Sequence, residues 1–289
     1  MADPFPDDSA PTTPPSLEWP GMAGGHFGVL AALFNERTFR HIRSLGIGEG
    51  WRCWEAGAGG ASVPSWLCEQ VGPTGYVLAS DVDTAALNEA PDPPYEVCRH
   101  DLTVDPPPAA GDFDLVHARL VLEHLGNPAV AVTTLVGALR PGGWLLVESS
   151  DPKLQLLACP DEVGPRQALA NKLRNGFWDI FAQRSDPGLG RTLPRLLRDS
   201  GLAKVSAEAA FSLGGVEARN LQRDLTMLVG PHLLANGQVA ADEIHQHLAD
   251  LDSADLDIAV FPVVSAWGRK TVSTTQQSLT GGGTTWHPA

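Results

Sequence analysis

The sequence predicts an α/β fold in which strands and helices alternate around an open sheet. A short strand segment, 52–55, runs into the glycine turn Gly57-Ala58-Gly59-Gly60. A helix follows, with Val63, Leu67 and Val71 at the i, i+4, i+8 spacing of one helical face. Two later strand segments, 75–81 and 95–101, each end in an aspartate. This alternation is typical of βαβ units, and 289 residues are enough for one large domain or two small ones.

The remaining elements are predicted in chain order. Before the first strand, apolar spacing predicts two helices, one around Phe27–Phe34 and a second around Phe39–Leu45. A fourth strand begins at Phe113, and Asn127 and Pro128 have the residue types of a helix cap and first helical position. The later predictions are a helix stop at 140–143, a fifth strand at 144–149, mainly helix over 160–200, a strand near 204–212, helices around 216–235 and 239–251, and a final apolar run at 258–266.

Composition divides the chain and excludes several functions. Residues 1–20 contain six prolines and residues 271–289 are rich in Thr, Gly, Ser and Gln, so both are predicted to be flexible. The 34 acidic and 20 basic residues give a formal charge of -14, the wrong sign for binding nucleic acid or an anionic membrane surface. No apolar run reaches the roughly 20 residues of a membrane helix, and no basic signal-peptide start is present, which predicts a cytoplasmic protein.

The four cysteines are far apart and show no C-x-x-C spacing. That spacing predicts neither a zinc site nor a disulfide framework. Nothing else in the sequence spells out a metal site, so none is predicted.

The glycine turn is the first chemical signal. Glycines between a strand and a helix let a ligand approach the backbone closely, and the start of a helix offers free N–H groups. A dinucleotide fingerprint would place glycine at position 62, where Ser62 stands. The specific feature is the ordered series of Glu55, Asp81 and Asp101 near successive strand ends, followed by Pro141-Gly142-Gly143 before the fifth strand.

With this series the sequence resembles the class I S-adenosylmethionine-dependent methyltransferases, of the small-molecule and actinobacterial-like type. The resemblance covers residues 47–150 well and extends loosely to about residue 270. It implies a Rossmann-like, doubly wound seven-stranded sheet in the order 3-2-1-4-5-7-6 with an antiparallel last strand. It also implies one domain over 21–270, with a cofactor core at 47–150 and a helical lid from 155–200 and 215–252. The implied activity is methyl transfer to an O or N atom of a small molecule, with secondary metabolism as one setting.

The resemblance carries cofactor roles onto individual residues. The turn beneath the methionine part of the cofactor matches Gly57, Ala58 and Gly59, and Glu55 matches the acid that orients its amino end. The acid for the ribose hydroxyls matches Asp81, followed by Val82, and the residues beside the adenine match Asp101 and Leu102. The segment along the cofactor after the fourth strand matches His117 to Arg119. One departure is Ala61, where many members have glycine.

Catalytic and acceptor-binding residues are predicted less specifically. His124 is the candidate general base and His117 the second choice, because histidine suits proton transfer to and from a reacting group. The cluster of Phe177, Trp178 and Phe181 fits either a wall of the acceptor pocket or the helical core. Arg184 and Arg191 are candidates to meet an acceptor carboxylate or to lie on the surface.

Several alternatives stay open. The segment Asp92-Pro93-Pro94-Tyr95 copies an amino-methyltransferase signature, but it precedes the third strand rather than following the fourth, so it is interpreted as a proline-rich turn. A nicotinamide-dependent oxidoreductase would share the fold class. A protein that binds S-adenosylmethionine without transferring a methyl group would share the cofactor residues too. The predicted partner is a small-molecule acceptor, and self-association as a homodimer is a further option.

Overall fold

The fold is built on one seven-stranded sheet with helices on both faces. The computed structural model describes residues 25–89, 92–183, 185–253 and 256–272. The predicted arm at 1–20, most of the predicted tail and Arg184 lie outside these residues. The strands are β1 (Arg52–Ala56), β2 (Tyr76–Asp81), β3 (Glu96–Arg99), β4 (Phe113–Arg119), β5 (Leu139–Ser150), β6 (Ala203–Ala210) and β7 (Val263–Arg269). The helices are α1 (Gly25–Ser44), α2 (Ser62–Val71), α3 (Pro128–Ala138), α4 (Pro165–Phe181), α5 (Leu193–Asp199), α6 (Val216–Ala235) and α7 (Ala241–Asp250).

The strand order confirms the prediction. The sheet runs β3-β2-β1-β4-β5-β7-β6, with β1 to β5 parallel and β7 antiparallel to both β5 and β6. The order reverses direction between β1 and β4, and ligands of such sheets bind at the carboxyl ends of the strands beside this point. In the register of β1 with β4, Glu55 lies opposite His117. The fold therefore brings two of the predicted site residues side by side.

One helix, and not two, precedes the first strand. The prediction of a break was wrong, because Asn35-Glu36-Arg37-Thr38 contains neither Gly nor Pro to end a helix, and α1 continues through it. The apolar pattern changes because the two halves of α1 pack on different neighbours. Phe34 lies in a cluster with α4 and α6, whereas Ile42 lies in a cluster with α2 and β1. The one continuous helix α1 therefore connects helices α4 and α6, which form a helical layer, to the sheet.

The helices after β5 and β6 divide into two groups. Helices α4, α6 and α7 pack together, and α6 also contacts α1. In contrast, α5 packs on β6 and β7, with Leu193 and Leu197 buried in the apolar cluster of the sheet. Within the predicted lid segment 155–200, α4 therefore belongs to the helical layer and α5 to the sheet layer.

Two element boundaries differ from those predicted. Helix α3, capped by Asn127 and starting at Pro128 as predicted, ends at Ala138 and not at the Pro-Gly-Gly sequence. Strand β5 already begins at Leu139, so Pro141-Gly142-Gly143 lies inside it, where the pairing register with β4 shifts. Strand β7 takes only the second half of the apolar run 258–266. Among the described residues, no helix has the length and apolar character needed to cross a membrane.

Candidate active site

A cavity of about 450 Å³ opens at the carboxyl edge of the sheet. Ligand pockets typically measure about 300–1,000 Å³. The sheet side of its wall contains nine of the predicted site residues, which are Glu55, Gly57, Ala58, Gly59, Asp81, Val82, Asp101, Leu102 and Arg119. His124 also lines the cavity, and the opposite side comes from α1, α4 and α6. The fold therefore gathers ten of the eleven predicted site residues around one space.

The glycine turn after β1 requires glycine for two reasons. Gly57 and Gly59 have φ angles of +67° and +63°, which side chains other than glycine rarely adopt. A Cβ atom at Gly57 would lie 2.4 Å from Cγ2 of Val121, and one at Gly59 would lie 2.6 Å from Cε1 of Phe27. Between them, the Ala58 amide donates to the Ser80 carbonyl at 2.9 Å. Two side chains therefore press directly on the turn, one from α1 and one from the segment after β4.

Gly59→Ala is expected to lower the free energy of unfolding by about 1–2 kcal/mol or more, because of the left-handed backbone and the contact with Phe27. Gly28→Ala is the matched control, since Gly28 lies in α1 with open space around a new Cβ. That control should be neutral or stabilising, because alanine favours a helix interior. Urea denaturation of both variants measures the difference, and equal effects would show that the turn tolerates a side chain.

The two aspartates are held in place by backbone amides. Asp81, the last residue of β2, accepts from the Gly59 amide through Oδ2 at 2.9 Å. Asp101 accepts from the Thr103 hydroxyl at 2.6 Å and the Thr103 amide at 2.8 Å, and these hydrogen bonds lower the pKa of Asp101. Ionised carboxylates can accept about four hydrogen bonds. Both side chains therefore keep acceptor capacity for a ligand in the cavity.

His117 differs from the other predicted site residues. Its side chain is fully buried and is not among the residues that line the cavity, so its place along a ligand stays a prediction. Its Nδ1 donates to Glu55 Oε2 at 2.6 Å, and its Nε2 donates to Glu148 Oε2 at 3.2 Å. Of these two carboxylates, Glu55 reaches the cavity wall. His117 therefore holds the Glu55 carboxylate in place from the side that faces away from the cavity.

The buried pair of His117 and Glu148 is charged at neutral pH. Burial disfavours the charge on His117, but the attraction of Glu55 and the hydrogen bonds to both carboxylates raise its pKa to about 9. Burial also opposes ionisation of Glu148, yet the hydrogen bond and charge of His117 lower its pKa to about 2. Thr38 and Ser265 each donate to Glu148 at 2.5 Å. The one positive charge of His117 is therefore shared between two carboxylates, and Arg119 attracts both of them as well.

Arg119 connects the cavity to α1. Its guanidinium donates to Thr38 Oγ1 and to Asn35 Oδ1, both at 2.9 Å. Burial lowers the pKa of Arg119 from its ordinary value, against the pull of Glu148 and Glu55. This arginine therefore lines the cavity while two of its five N–H donors hold it to α1.

His124 lies at the exposed rim of the cavity. Its Nδ1 is 3.1 Å from the Ser185 hydroxyl, and its ring meets the ring of Phe181 edge-on, with centroids 5.8 Å apart. Phe177, Trp178 and Phe181 line the cavity and also belong to the helical core, and their contact with an acceptor stays a prediction. The assignment of His124 as a base stays a prediction.

Two other sequence features lie away from the cavity. Arg191 pairs with the buried carboxylate of Asp151, with contacts of 2.5 and 2.8 Å, and it lies outside the cavity wall. Tyr95, which ends the Asp-Pro-Pro-Tyr sequence, is buried and donates to the Leu87 carbonyl at 3.2 Å. Its role in a turn agrees with the structural interpretation.

Sequence reasoning missed Glu123, Phe27 and Phe261, which all line the cavity. Glu123 is buried, and its Oε1 accepts from the amide and the hydroxyl of Ser150, both at 3.0 Å. The available signal was an acid directly before His124 in an otherwise apolar segment. Phe27 and Phe261 carried no signal beyond their apolar character.

The fold and the site together define a methyltransferase-type α/β domain. A family model described as a methyltransferase domain matches residues 31–207, more than half of the chain. The chain therefore belongs to this methyltransferase domain family.

Similar proteins support this membership. Methyltransferase str2 of Strobilurus tenacellus is 28% identical over 187 residues, which cover 64% of this chain and 63% of str2. Methyltransferase str3 of the same organism is 25% identical over 215 residues, which cover 72% of each protein. The match thus spans less than two thirds of the length of str2.

Solved structures share the fold. The YcgJ protein of Bacillus subtilis aligns with a TM-score of 0.52 and 14% identity, over 80% of this chain and 97% of that one. Phosphoethanolamine N-methyltransferase 2 of Haemonchus contortus, solved with S-adenosyl-L-methionine, aligns with a TM-score of 0.50 and 14% identity, over 82% of this chain and 53% of that one. At 14% identity the structural likeness establishes only the fold, and it confirms the predicted Rossmann-like fold class.

Proposed function

We propose that the protein transfers a methyl group from S-adenosyl-L-methionine to an O or N atom of a small molecule, with S-adenosyl-L-homocysteine as the second product. The observation that carries the proposal is the charge of the cavity wall. Four carboxylates line it, from Glu55, Asp81, Asp101 and Glu123, whereas Arg119 is the one lysine or arginine among its described residues. An acidic wall suits a sulfonium and an ammonium group, and it does not suit the pyrophosphate of a nicotinamide dinucleotide.

The proposed roles of the cofactor-binding residues come from the resemblance, and their positions in the cavity wall support them. The turn at Gly57, Ala58 and Gly59 would contact the methionine part, with Glu55 beside its ammonium group. Asp81 would accept hydrogen bonds from the two ribose hydroxyls, with Val82 against the sugar. Asp101 and Leu102, next along the same edge, would bind the adenine. Each assignment uses a side chain or backbone segment of the cavity wall.

The remaining parts of the proposal concern the acceptor and its setting. Methyl transfer is an in-line displacement from a good leaving group, so holding the acceptor in place and excluding water supply much of the acceleration. The helical layer of α4, α6 and α7 is placed to do this, as a lid over the cavity. We infer a role in secondary metabolism and a cytoplasmic location, and the homodimer stays a prediction.

Thermal shift with cofactors tests the proposal without knowledge of the acceptor. A ligand that binds only the folded state stabilises it by about 2.7 kcal/mol at 100 times its Kd. S-adenosyl-L-methionine and S-adenosyl-L-homocysteine should each raise Tm in a concentration-dependent manner, and NAD should not. A rise with NAD alone would overturn the proposal.

Product analysis separates an enzyme from a protein that only binds the cofactor. Incubation with methyl-labelled S-adenosyl-L-methionine and a set of small phenols and amines should release labelled products. Binding of S-adenosyl-L-homocysteine without transfer to any acceptor in the set would favour the non-catalytic alternative.

A further inference from the structure

Two residues of the cavity wall each have a buried polar atom without a hydrogen-bond partner among the described residues. One is Oε2 of Glu123, and the other is Nε1 of Trp178. Both side chains line the cavity and are 2% and 7% exposed, respectively. The other oxygen of Glu123 is already occupied by Ser150. One acceptor atom and one donor atom are therefore left over at the same site.

Leaving these two buried polar atoms unpaired costs folding free energy. Both are shielded from bulk water, so solvent does not replace the missing hydrogen bonds. Buried polar groups in native proteins are nearly always paired, and an exception needs an explanation. As the side chains stand, neither atom touches the open space of the cavity, so a ligand reaches them only when the side chains of Glu123 and Trp178 shift, and the two oxygens of Glu123 then move together on their contacts with Ser150. A molecule in the cavity that offers one donor and one acceptor would satisfy both groups.

The two residues come from different elements of the cavity wall, which meet where the ring of His124, next to Glu123, packs against Phe181. Glu123 belongs to the segment after β4, in which Val121 packs on the Gly57 turn. Trp178 lies on α4, where its ring meets Phe177 and Phe181 edge-on with centroids 4.6 and 5.6 Å apart. A molecule between the glycine turn and the helical layer would therefore contact both residues.

The rest of the wall limits the chemistry of this molecule. Phe177, Phe181 and Phe261 form an aromatic surface around Trp178 that suits a flat apolar body. The guanidinium of Arg119 uses two of its five N–H donors on Thr38 and Asn35, and its charge already attracts Glu148 and Glu55, which limits its compensation of an acceptor carboxylate or phosphate. The charge of Glu123 opposes such anions further.

We propose that the methyl acceptor is a neutral, mainly aromatic molecule with a hydroxyl group that donates to Glu123 and an oxygen that accepts from Nε1 of Trp178. The hydroxyl oxygen itself can serve both groups, because it donates once and accepts through its lone pairs. This inference rests on the proposed function, since it names the acceptor class of that reaction. It makes Glu123 and Trp178 specificity-determining residues.

Three naphthalenes of similar size test the inference by calorimetry, with the protein saturated in S-adenosyl-L-homocysteine. 2-Naphthol should bind at least about ten-fold more tightly than 2-methylnaphthalene, because a hydrogen bond to a charged group is commonly worth that factor. 2-Naphthoate should bind more weakly than 2-naphthol, because its carboxylate faces Glu123. Equal affinities for 2-naphthol and 2-methylnaphthalene, or tighter binding of 2-naphthoate, would overturn the inference.

Substitutions test whether Glu123 and Trp178 cause the preference for 2-naphthol. Glu123→Gln should reduce the discrimination between 2-naphthol and 2-naphthoate, and Trp178→Phe should weaken binding of 2-naphthol alone. The matched controls are Asp179→Asn, an exposed carboxylate on α4, and Trp66→Phe, a tryptophan on α2 outside the cavity. Both controls should bind all three probes as the parent does. Unchanged discrimination in Glu123→Gln together with unchanged 2-naphthol affinity in Trp178→Phe would contradict the assignment.

Each protein is first titrated with S-adenosyl-L-homocysteine alone, which distinguishes the two ways of failing. A parent protein that does not bind this product contradicts the proposed function and the inference with it. A parent that binds it but shows no preference for 2-naphthol contradicts the inference and leaves the proposed function standing.

Discussion

Glu148→Gln is expected to lower the free energy of unfolding by about 3–5 kcal/mol, the usual cost of removing one partner from a buried ion pair. Glu148 is almost fully buried and binds His117, Thr38 and Ser265. The glutamine keeps the size of the side chain but removes its charge. His117 then stays buried with Glu55 as its remaining ionic partner.

Glu208→Gln is the matched control for this substitution. Glu208 lies on β6 and pairs with Arg40 at 2.5 Å, with 37% and 56% of the two side chains exposed. Exposed ion pairs contribute at most about 1 kcal/mol, so this variant should differ little from the parent. Urea denaturation at pH 7 compares the two. Equal destabilisation by both substitutions would show that the buried group is not an ionic network.

The same network predicts how stability depends on pH. The folded-state pKa of His117, about 9, lies above its ordinary value of 6.5, so its stabilising contribution is complete below pH 6.5 and is lost as pH rises through 9. The folded-state pKa of Glu148, about 2, lies below its ordinary 4.5, so its contribution is complete above pH 4.5 and is lost as pH falls toward 2. In Glu148→Gln the alkaline loss should begin at lower pH, because His117 has lost one of the carboxylates that raise its pKa. Denaturation at intervals from pH 6 to pH 10 measures this shift, and identical alkaline profiles would contradict it.

The cofactor side of the site could be predicted because it depends on strand order. Asp81 and Asp101 follow parallel strands, and the carboxyl ends of such strands meet at one edge of the sheet. The glycine turn and the alternating pattern indicate that topology locally. Once the resemblance supplied the strand order, the grouping of these residues followed.

The buried contacts of His117 behind the cavity could not be predicted, because the residues that make them are distant in the chain. His117 lies on β4, whose residues from Phe113 to Ala118 are all buried, so no alternation shows which way a side chain faces. Its partners Glu148 and Thr38 come from β5 and α1, and only tertiary packing brings them together. Glu123 was missed for the same reason, because its contact with Ser150 joins the turn after β4 to the end of β5, and only the sheet brings these together.

Asp81→Asn is expected to weaken binding of S-adenosyl-L-homocysteine by about 100-fold. A hydrogen bond to a charged group contributes about 1.5–3 kcal/mol, and the carboxylate is proposed to accept from two ribose hydroxyls. Asparagine is the same size and can still accept from the Gly59 amide, so the glycine turn should keep its shape. Its single oxygen carries no charge, and an NH2 group, which only donates, replaces the oxygen that accepts from the Asp83 amide, so at least one ribose hydroxyl loses its charged acceptor. The loss therefore falls on the ligand more than on the fold.

Asp83→Asn is the matched control, since Asp83 is an exposed carboxylate two residues further on that accepts from the Ala85 amide and does not line the cavity. Calorimetric titration with S-adenosyl-L-homocysteine should give near-parental affinity for this control, and Tm without ligand should be similar for both variants. An Asp81→Asn protein that binds as tightly as the parent would show that the ribose does not lie against this carboxylate. Asp81 ends β2, next to the strand that leads to Asp101. If the ribose does not reach Asp81, the adenine is not placed beside Asp101 either, and the proposed placement of the cofactor along this edge is wrong.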